Sequence, residues 1–332
     1  MSLRVEDLKV YYCMKRGECR AVEDISFTIA KGDSVGLVGE SGCGKSTVAF
    51  ALLRMLPFPG EIMGGHIYFE DEDLVEYTEE EMRQFRWKKM SMVFQGAMNA
   101  LNPIIKVKDQ ITEAIMQHDL EISKAEAEER VRELFKMVGI DPDRVSHYPF
   151  EFSGGMKQRS MIVMALACNP EFIIADEPTT ALDVTVQAQI MELLRSLAKE
   201  LNITLLLITH DLSVVAETCE KVIIMYAGKI VESGTVTELF QTPMHPYSQG
   251  LIASIPSIEK SHDQTLASIP GQPPNLLNPP LGCRFHPRCD FAQSMCQTDD
   301  PPAEELKPGH IVACHLAAGR ITSEGYSFNR SE

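Results

Sequence analysis

The sequence predicts an α/β fold whose parallel strands present polar residues at one end, and three observations point to it. An apolar segment, SVGLVG (Ser34 to Gly39), runs through a glycine turn, GESGCGKST (Gly39 to Thr47), into FALLRML (Phe50 to Leu56). Strand, glycine turn and helix in that order are the setting of a phosphate-binding loop. Two further apolar stretches of strand length, EFIIADEP (Glu171 to Pro178) and ITLLLITH (Ile203 to His210), end in carboxylates and an imidazole. Between the glycine turn and these two stretches the pattern turns helical from roughly Gly96 to Phe152, as an insertion within an α/β domain would.

At 332 residues, the chain can hold one large domain and a smaller appendage. Its 44% hydrophobic and 23% charged residues are those of a soluble globular protein. A net charge of −16 argues against nucleic acid as a partner, because neutralising phosphates needs a basic face. No apolar run approaches the roughly 18–20 residues of a membrane span; TLLLIT (Thr204 to Thr209) and KVIIMY (Lys221 to Tyr226) are strand-length. Charges in MSLRVEDLKV occupy the place where a signal peptide needs apolar residues. A cytoplasmic compartment is therefore expected, with any membrane link running through partner proteins. Nine cysteines, five scattered and four within the last fifty residues, do not form a chain-wide disulfide framework.

Taken in order, LRVEDLKVYY and AVEDISFTI (Ala21 to Ile29) alternate as strands do, with Tyr11 and Tyr12 on opposite faces. In the loop, Gly39, Gly42 and Gly44 let successive N–H groups point at one anion, and the following helix adds its positive end. Lys45 supplies a charge for β- and γ-phosphates, and the Ser46 hydroxyl suits Mg²⁺. A short strand at His66 to Phe69 precedes the charged segment EYTEEEMRQFRWKK and the strand MSMVFQ, ending in Gln95. Ser123 and Glu126 form a capping box ahead of Val131, Leu134, Phe135 and Val138, and Gly139 ends that helix. In FSGGMKQR, Ser153 caps a helix whose bare Gly154 and Gly155 make a second anion site. Asp176 and Glu177 leave the end of a buried strand, where Asp176 can hold Mg²⁺ through water and Glu177 can polarise an attacking water. Asp183 starts a helix with Ile190, Leu193, Leu194 and Leu197 on its apolar face. KVIIMYAGKIVESG (Lys221 to Gly234) supplies two strands that close the sheet.

GESGCGKST, Gln95, FSGGMKQR, IIADEP, ALD and ITHD, in this order, resemble the nucleotide-binding subunit of an ABC transporter. The resemblance covers Met1 to about Phe240. It implies a P-loop NTPase (RecA-like) core with an antiparallel β edge, and a helical subdomain at about 97–157. It further implies that Gly39, Ser41, Gly42, Cys43, Gly44, Lys45, Ser46, Thr47 and Asp176 bind ATP, with Tyr12, or Tyr11 as the alternative, stacked on adenine. Ser46 and Gln95 would hold Mg²⁺, Glu177 would be the general base and His210 would contact the γ-phosphate. Ser153, Gly154, Gly155 and Gln158 would meet the ATP of a second subunit, identical or a sibling, with Asp183 at the seam.

Phe152 in place of the usual leucine, NALNP (Asn99 to Pro103), TPMHPYSQGLIASIP (Thr242 to Pro256) and SIPGQPPNLLNPPLGCRFHPRC (Ser268 to Cys289) resemble the dipeptide/oligopeptide importer branch. Gly96-Ala97 departs from the Asp-Pro usual there. Membership implies two membrane permeases, an extracytoplasmic solute-binding protein and a peripheral place on the cytoplasmic membrane face. Importers of oligosaccharides or nickel chelates share the pattern. A soluble ABC-type ATPase acting on ribosomes or nucleic acid is the rival, and it would be expected to carry coiled-coil insertions or a second cassette.

The proline-rich extension, 241–332, reads as mostly irregular. It carries Cys283, Cys289, Cys296 and Cys314, spaced C-x5-C-x6-C-x17-C. Zinc fingers favour tighter pairs, whereas four thiolates suit the [4Fe-4S] cluster that some members of the resembled family carry. Zn²⁺ is the alternative, and four reduced structural cysteines the remaining reading. His286, His310 and His315 read as bystanders.

Overall fold

The computed structural model describes residues 2–96, 100–255 and 269–322. Ala97, Asn99, Pro256 and Ser268, which belong to the segments compared above, lie outside them.

The chain opens with β1 (Leu3–Met14) and β2 (Gly17–Ile29), then β3 (Ser34–Val38), α1 (Lys45–Leu52), β4 (Gly60–Phe69) and β5 (Glu72–Asp73). There follow α2 (Glu79–Phe85), β6 (Met90–Val93), α3 (Val107–His118), α4 (Lys124–Met137) and α5 (Gly154–Leu166). Next come β7 (Phe172–Asp176), α6 (Val184–Glu200), β8 (Thr204–Thr209), α7 (Leu212–Thr218), β9 (Lys221–Tyr226) and β10 (Lys229–Thr235). The last part holds α8 (Val236–Gln241), α9 (Pro246–Ala253), α10 (Ser294–Thr298), β11 (Glu304–Lys307) and β12 (His310–Val312). These fall into two compact units. One comprises Ile29–Ser34 and Asp73–Ile208; the other comprises Leu3–Thr28, Val35–Glu72 and the described residues from Thr209 onward.

In the unit built on Asp73–Ile208, β6, β7 and β8 run parallel, with Met90 beside Phe172 and Phe172 beside Thr204. All three strands are buried along their whole length, which is why they read as unbroken apolar runs rather than alternating ones. The expected MSMVFQ strand stops at Val93, leaving Gln95 exposed in a turn. Helix α4 has the capping box read from its sequence, Ser123 with Glu126, and buries Val131, Leu134 and Phe135. The charged segment before β6 contains α2, started by a second box, Thr78 with Glu81. Helix α5 packs on α3, α4 and α6.

In the other unit, β1 lies between β2 and β4 in an antiparallel sheet. Its alternation breaks at Asp7, where the backbone takes φ +46° and the register to β4 shifts. This bulge lets Leu3 and Val5 before it, and Leu8 and Val10 after it, all be buried. Strand β3 runs parallel to β9, and β9 turns through Ala227 and Gly228, both at positive φ, into antiparallel β10. Such a two-residue turn matches the twist of paired strands. The sheet does not close at Gly234, as the sequence reading expected. Strand β12 of the extension pairs with β10, placing Val312 beside Glu232, and β11 pairs with β12. Met244, Val312, Cys314 and Leu316 form a small core beneath them. The described part of the extension from 269 onward is mostly irregular, apart from α10 and the two short strands β11 and β12. Among the described residues, no helix is long and apolar enough to cross a membrane.

Candidate functional site

The glycine turn is pressed from behind by other backbone, which dictates its residues. A Cβ on Gly39 would meet the Met225 carbonyl at 2.1 Å, and one on Gly44 would meet the Ala21 carbonyl at 2.3 Å. Gly44 caps α1 at φ 106° without any side-chain hydrogen bond, and a helix start of this kind suits an anion. Ser41 and Gly42 are exposed, while Lys45 is 5% exposed. The Lys45 ammonium donates to the carbonyls of Gly39 (2.7 Å) and Glu40 (3.1 Å), inside the loop it serves. Cys43 is buried, and burial pushes its thiol pKa up against the opposing pull of Lys45. Ser46 and Thr47 are half-buried at the start of α1.

Strand alternation sends the two tyrosines to opposite faces of β1. Tyr12 shares a strand face with Leu8 and Val10, and its hydroxyl lies 3.4 Å from Thr47 Oγ1. The Tyr11 hydroxyl donates to Glu23 Oε1 at 2.6 Å, and burial together with that carboxylate pushes its pKa up to about 12. Of the two, Tyr12 is the one beside the loop. His210 follows β8 and is exposed; next to it Asp211 caps α7 by accepting from the Ser213 N–H at 2.8 Å.

The parallel strands of the other unit bring two distant residues together. Asp176 ends β7 and is 1% exposed. Glu177 follows at φ +43°, with its own N–H held by the Ile208 carbonyl at 2.8 Å. Gln95 Nε2 donates to Glu177 Oε2 at 2.6 Å, and Thr180 Oγ1 donates to the same oxygen at 3.1 Å. A carboxylate oxygen so held is oriented by donors from two strand ends. Ser153 Oγ accepts from the Met156 N–H at 3.3 Å and caps α5. A Cβ on Gly155 would come within 2.9 Å of Val186, so glycine permits the close approach of the α5 start to α6. Asp183 is exposed and caps α6 through the Val186 N–H at 3.0 Å. Gln158, by contrast, is 3% exposed and lies within α5, and its Nε2 has no partner among the described residues.

All four cysteines of the extension line one small cavity, together with His245, His286 and His315. The Cys283 N–H donates to the Cys296 carbonyl at 2.9 Å, and Gly282 is packed so tightly on that segment that a Cβ would meet backbone at 2.6 Å. Burial pushes the Cys283 thiol up to about 12 and that of Cys289 up to about 11, and it raises Cys314 as well. His245 Nδ1 accepts from the Tyr247 N–H at 3.0 Å, so its proton sits on Nε2, a buried atom without a partner. His315 Nε2 lies 2.9 Å from the Asp299 carbonyl, which leaves Nδ1 buried and unpartnered. Among the described residues no group of three or more His, Cys, Asp or Glu side chains is set to hold a metal ion. His310 is elsewhere, bonded through Nε2 to buried Glu232 at 2.7 Å.

Sequence reasoning missed the residues that join this cavity to the phosphate loop. In CRFHPRC, Arg288 donates to both carboxylate oxygens of Glu40, at 2.6 and 3.0 Å. Arg284 donates to Glu23 at 3.1 Å and to the Ala227 carbonyl. The next N–H, of Gly228, donates to the Cys43 carbonyl at 2.8 Å. Phe285 packs edge-on against Tyr226 and beside Tyr247. The local signal was two arginines four residues apart, the second on the short helical turn His286–Arg288, because Glu40 and Glu23 lie 248 and 261 residues away in sequence.

Comparison with known proteins bears on both parts. A family model described as ABC transporter matches residues 22–180, and one for the C-terminal region of oligopeptide/dipeptide transporters matches residues 231–296. The chain is 47% identical over 317 residues to the oligopeptide transport ATP-binding protein OppD of Bacillus subtilis, covering 95% of this chain and 88% of that one. It is 42% identical to the dipeptide transport ATP-binding protein DppD of Caldanaerobacter subterraneus, covering 95% and 96%. Among solved structures, the dimeric post-hydrolysis state of the ATP-binding cassette MJ0796 with ADP and phosphate is similar at TM-score 0.63. It is 28% identical, covering 70% of this chain and 98% of that one.

Proposed function

The chain belongs to the ATP-binding subunits of ABC transporters, in the oligopeptide/dipeptide branch, and on that premise we propose that it hydrolyses ATP to power peptide import. The observation that carries the reading is a glycine loop whose helix start suits an anion, in a chain that also matches the C-terminal region of peptide transporters. In this reading the α1 N–H groups and Lys45 bind the phosphates, and Tyr12 stacks on the base. Glu177, oriented by Gln95, takes the proton of the attacking water, and His210 steadies the γ-phosphate. The oxygen donors Ser46, Asp176 and Gln95 are of the kind Mg²⁺ prefers, and the ion would neutralise charge on the phosphates. Two such subunits, identical or siblings, close head to tail, with Ser153, Gly154 and Gly155 of one meeting the ATP of the other and Asp183 at the seam. The buried position of Gln158 suits a role in holding α5 better than a direct contact.

The partners are two permeases and an extracytoplasmic solute-binding protein, with the subunit peripheral on the cytoplasmic membrane face. We place the boundary between ATPase domain and extension near residue 240, and the helical subdomain at 97–157. ATP-dependent uptake by the complex in liposomes tests the reading. Peptide uptake is expected, whereas uptake of an oligosaccharide or a nickel chelate alone would redirect it, and failure to co-purify with permeases would favour the soluble alternative.

For the extension we propose a [4Fe-4S] cluster on Cys283, Cys289, Cys296 and Cys314. What supports it is four thiols around one cavity and two orphaned histidine nitrogens on residues of its wall. Zn²⁺ is the alternative; a cluster takes one thiolate at each of four corners. Its role is to staple a segment with little core of its own. Iron and sulfide assays on anaerobically purified protein check this. Four irons per chain are expected at full occupancy, and zinc alone would replace the cluster with a structural ion.

A further inference from the structure

Glu40 is an awkward residue for a phosphate loop, since a carboxylate one position past Gly39 adds negative charge where a triphosphate is expected. Each of its polar groups is held. Its N–H donates to the Tyr247 hydroxyl at 3.0 Å, its carbonyl accepts from Lys45 at 3.1 Å, and its carboxylate receives both terminal nitrogens of Arg288. Arg288 in turn is only 5% exposed along its side chain. Its remaining donors go to the carbonyls of Pro270 (2.8 Å) and Ile269 (3.3 Å) and to the Tyr226 hydroxyl (3.3 Å). Five N–H donors meet five acceptors, so the guanidinium is fixed by the fold around it rather than by Glu40 alone.

We propose that Arg288 is a positioning residue for the phosphate loop: carried on the cysteine-bearing extension, it neutralises and clamps Glu40, and so holds the loop in the form that accepts ATP. The proposal rests on the nucleotide reading of the loop. It explains why an arginine, and not a lysine, stands there. A single ammonium could cancel the charge, but it could not bridge both carboxylate oxygens while bonding the 269–270 backbone and Tyr226. It also ties the extension to the reaction without placing any extension residue on the substrate.

The test is MgATP affinity of the full-length chain by titration calorimetry, with thermal melts to follow folding. Arg288→Met should weaken MgATP at least tenfold, and Arg288→Lys should recover only part of the loss. In a Glu40→Gln background, the Arg288→Met change should cost less than twofold, because the group through which it acts no longer carries charge. Unchanged affinity in Arg288→Met, or an equal loss in both backgrounds, would overturn the clamp. Should Arg288→Met fail to fold, the same pair of comparisons made with Arg288→Lys decides by the same criterion. A wild-type chain that does not bind MgATP would overturn the nucleotide reading and the clamp with it, whereas normal wild-type binding with an indifferent Arg288 overturns the clamp alone.

Discussion

Two short stretches, GESGCGKST and CRFHPRC, are built on opposite plans. The first works through its backbone. Its glycines admit neighbouring carbonyls, and its helix start is left without a side-chain cap. The second works through side chains sent in different directions. Cys283 and Cys289 face a cavity, Arg284 and Arg288 reach Glu23 and Glu40, and Phe285 joins Tyr226 and Tyr247. The lesson concerns where information lies. A backbone device must be contiguous, so it is written in consecutive residues; a side-chain hub takes its meaning from partners distant in sequence, which for Glu40 and Glu23 means more than two hundred residues.

If that contrast is right, damage to the extension should cost stability first. Glu232 is fully buried and accepts from the N–H groups of Met244 (2.7 Å) and His245 (2.9 Å) and from His310. Glu232→Ala strands all three, so a loss of about 3–5 kcal/mol in denaturant unfolding is expected. A loss under about 1 kcal/mol would mean that this seam of the extension contributes little.

A pH series sharpens the same point. Burial lowers the His245 pKa to about 4, against the opposing pull of Glu232. The unfolded chain therefore takes up this proton first as pH falls. The contribution is complete above about 6.5 and is lost between there and about 4. With Glu232 and His310 the neighbouring groups across the seam, His245→Gln should flatten stability over that window by on the order of 3 kcal/mol. Parallel pH curves for the two proteins would contradict it.

The smallest effect belongs to the other unit, where Ser153→Ala removes a cap and should cost about 1 kcal/mol in unfolding. It should also slow turnover more than it weakens ATP binding by a single subunit. Equal loss of both would place Ser153 on its own subunit's nucleotide.

What was legible follows the same division. The phosphate loop, the strand ends at Asp176–Glu177 and His210, and the capping box of α4 are local patterns, and each stands where its residues suggested. Helix α2 escaped notice although Thr78 and Glu81 repeat the same box, because charge obscured a short helix with two buried side chains. The Asp7 bulge left no sequence signal, yet it decides which residues of β1 are buried. Strands β11 and β12 are four and three residues long, and they exist because β10 offers an edge. Glu40 lay in plain view inside the loop, but its meaning required Arg288.

The most direct measurement is MgATP binding and phosphate release by the transporter complex carrying Glu177→Gln, a change that keeps shape and removes the base. Nucleotide affinity close to wild type with turnover down at least a hundredfold is the predicted result. Turnover within a few-fold of wild type would contradict the account, because hydrolysis would then proceed without the one carboxylate that Gln95 and Thr180 hold in place.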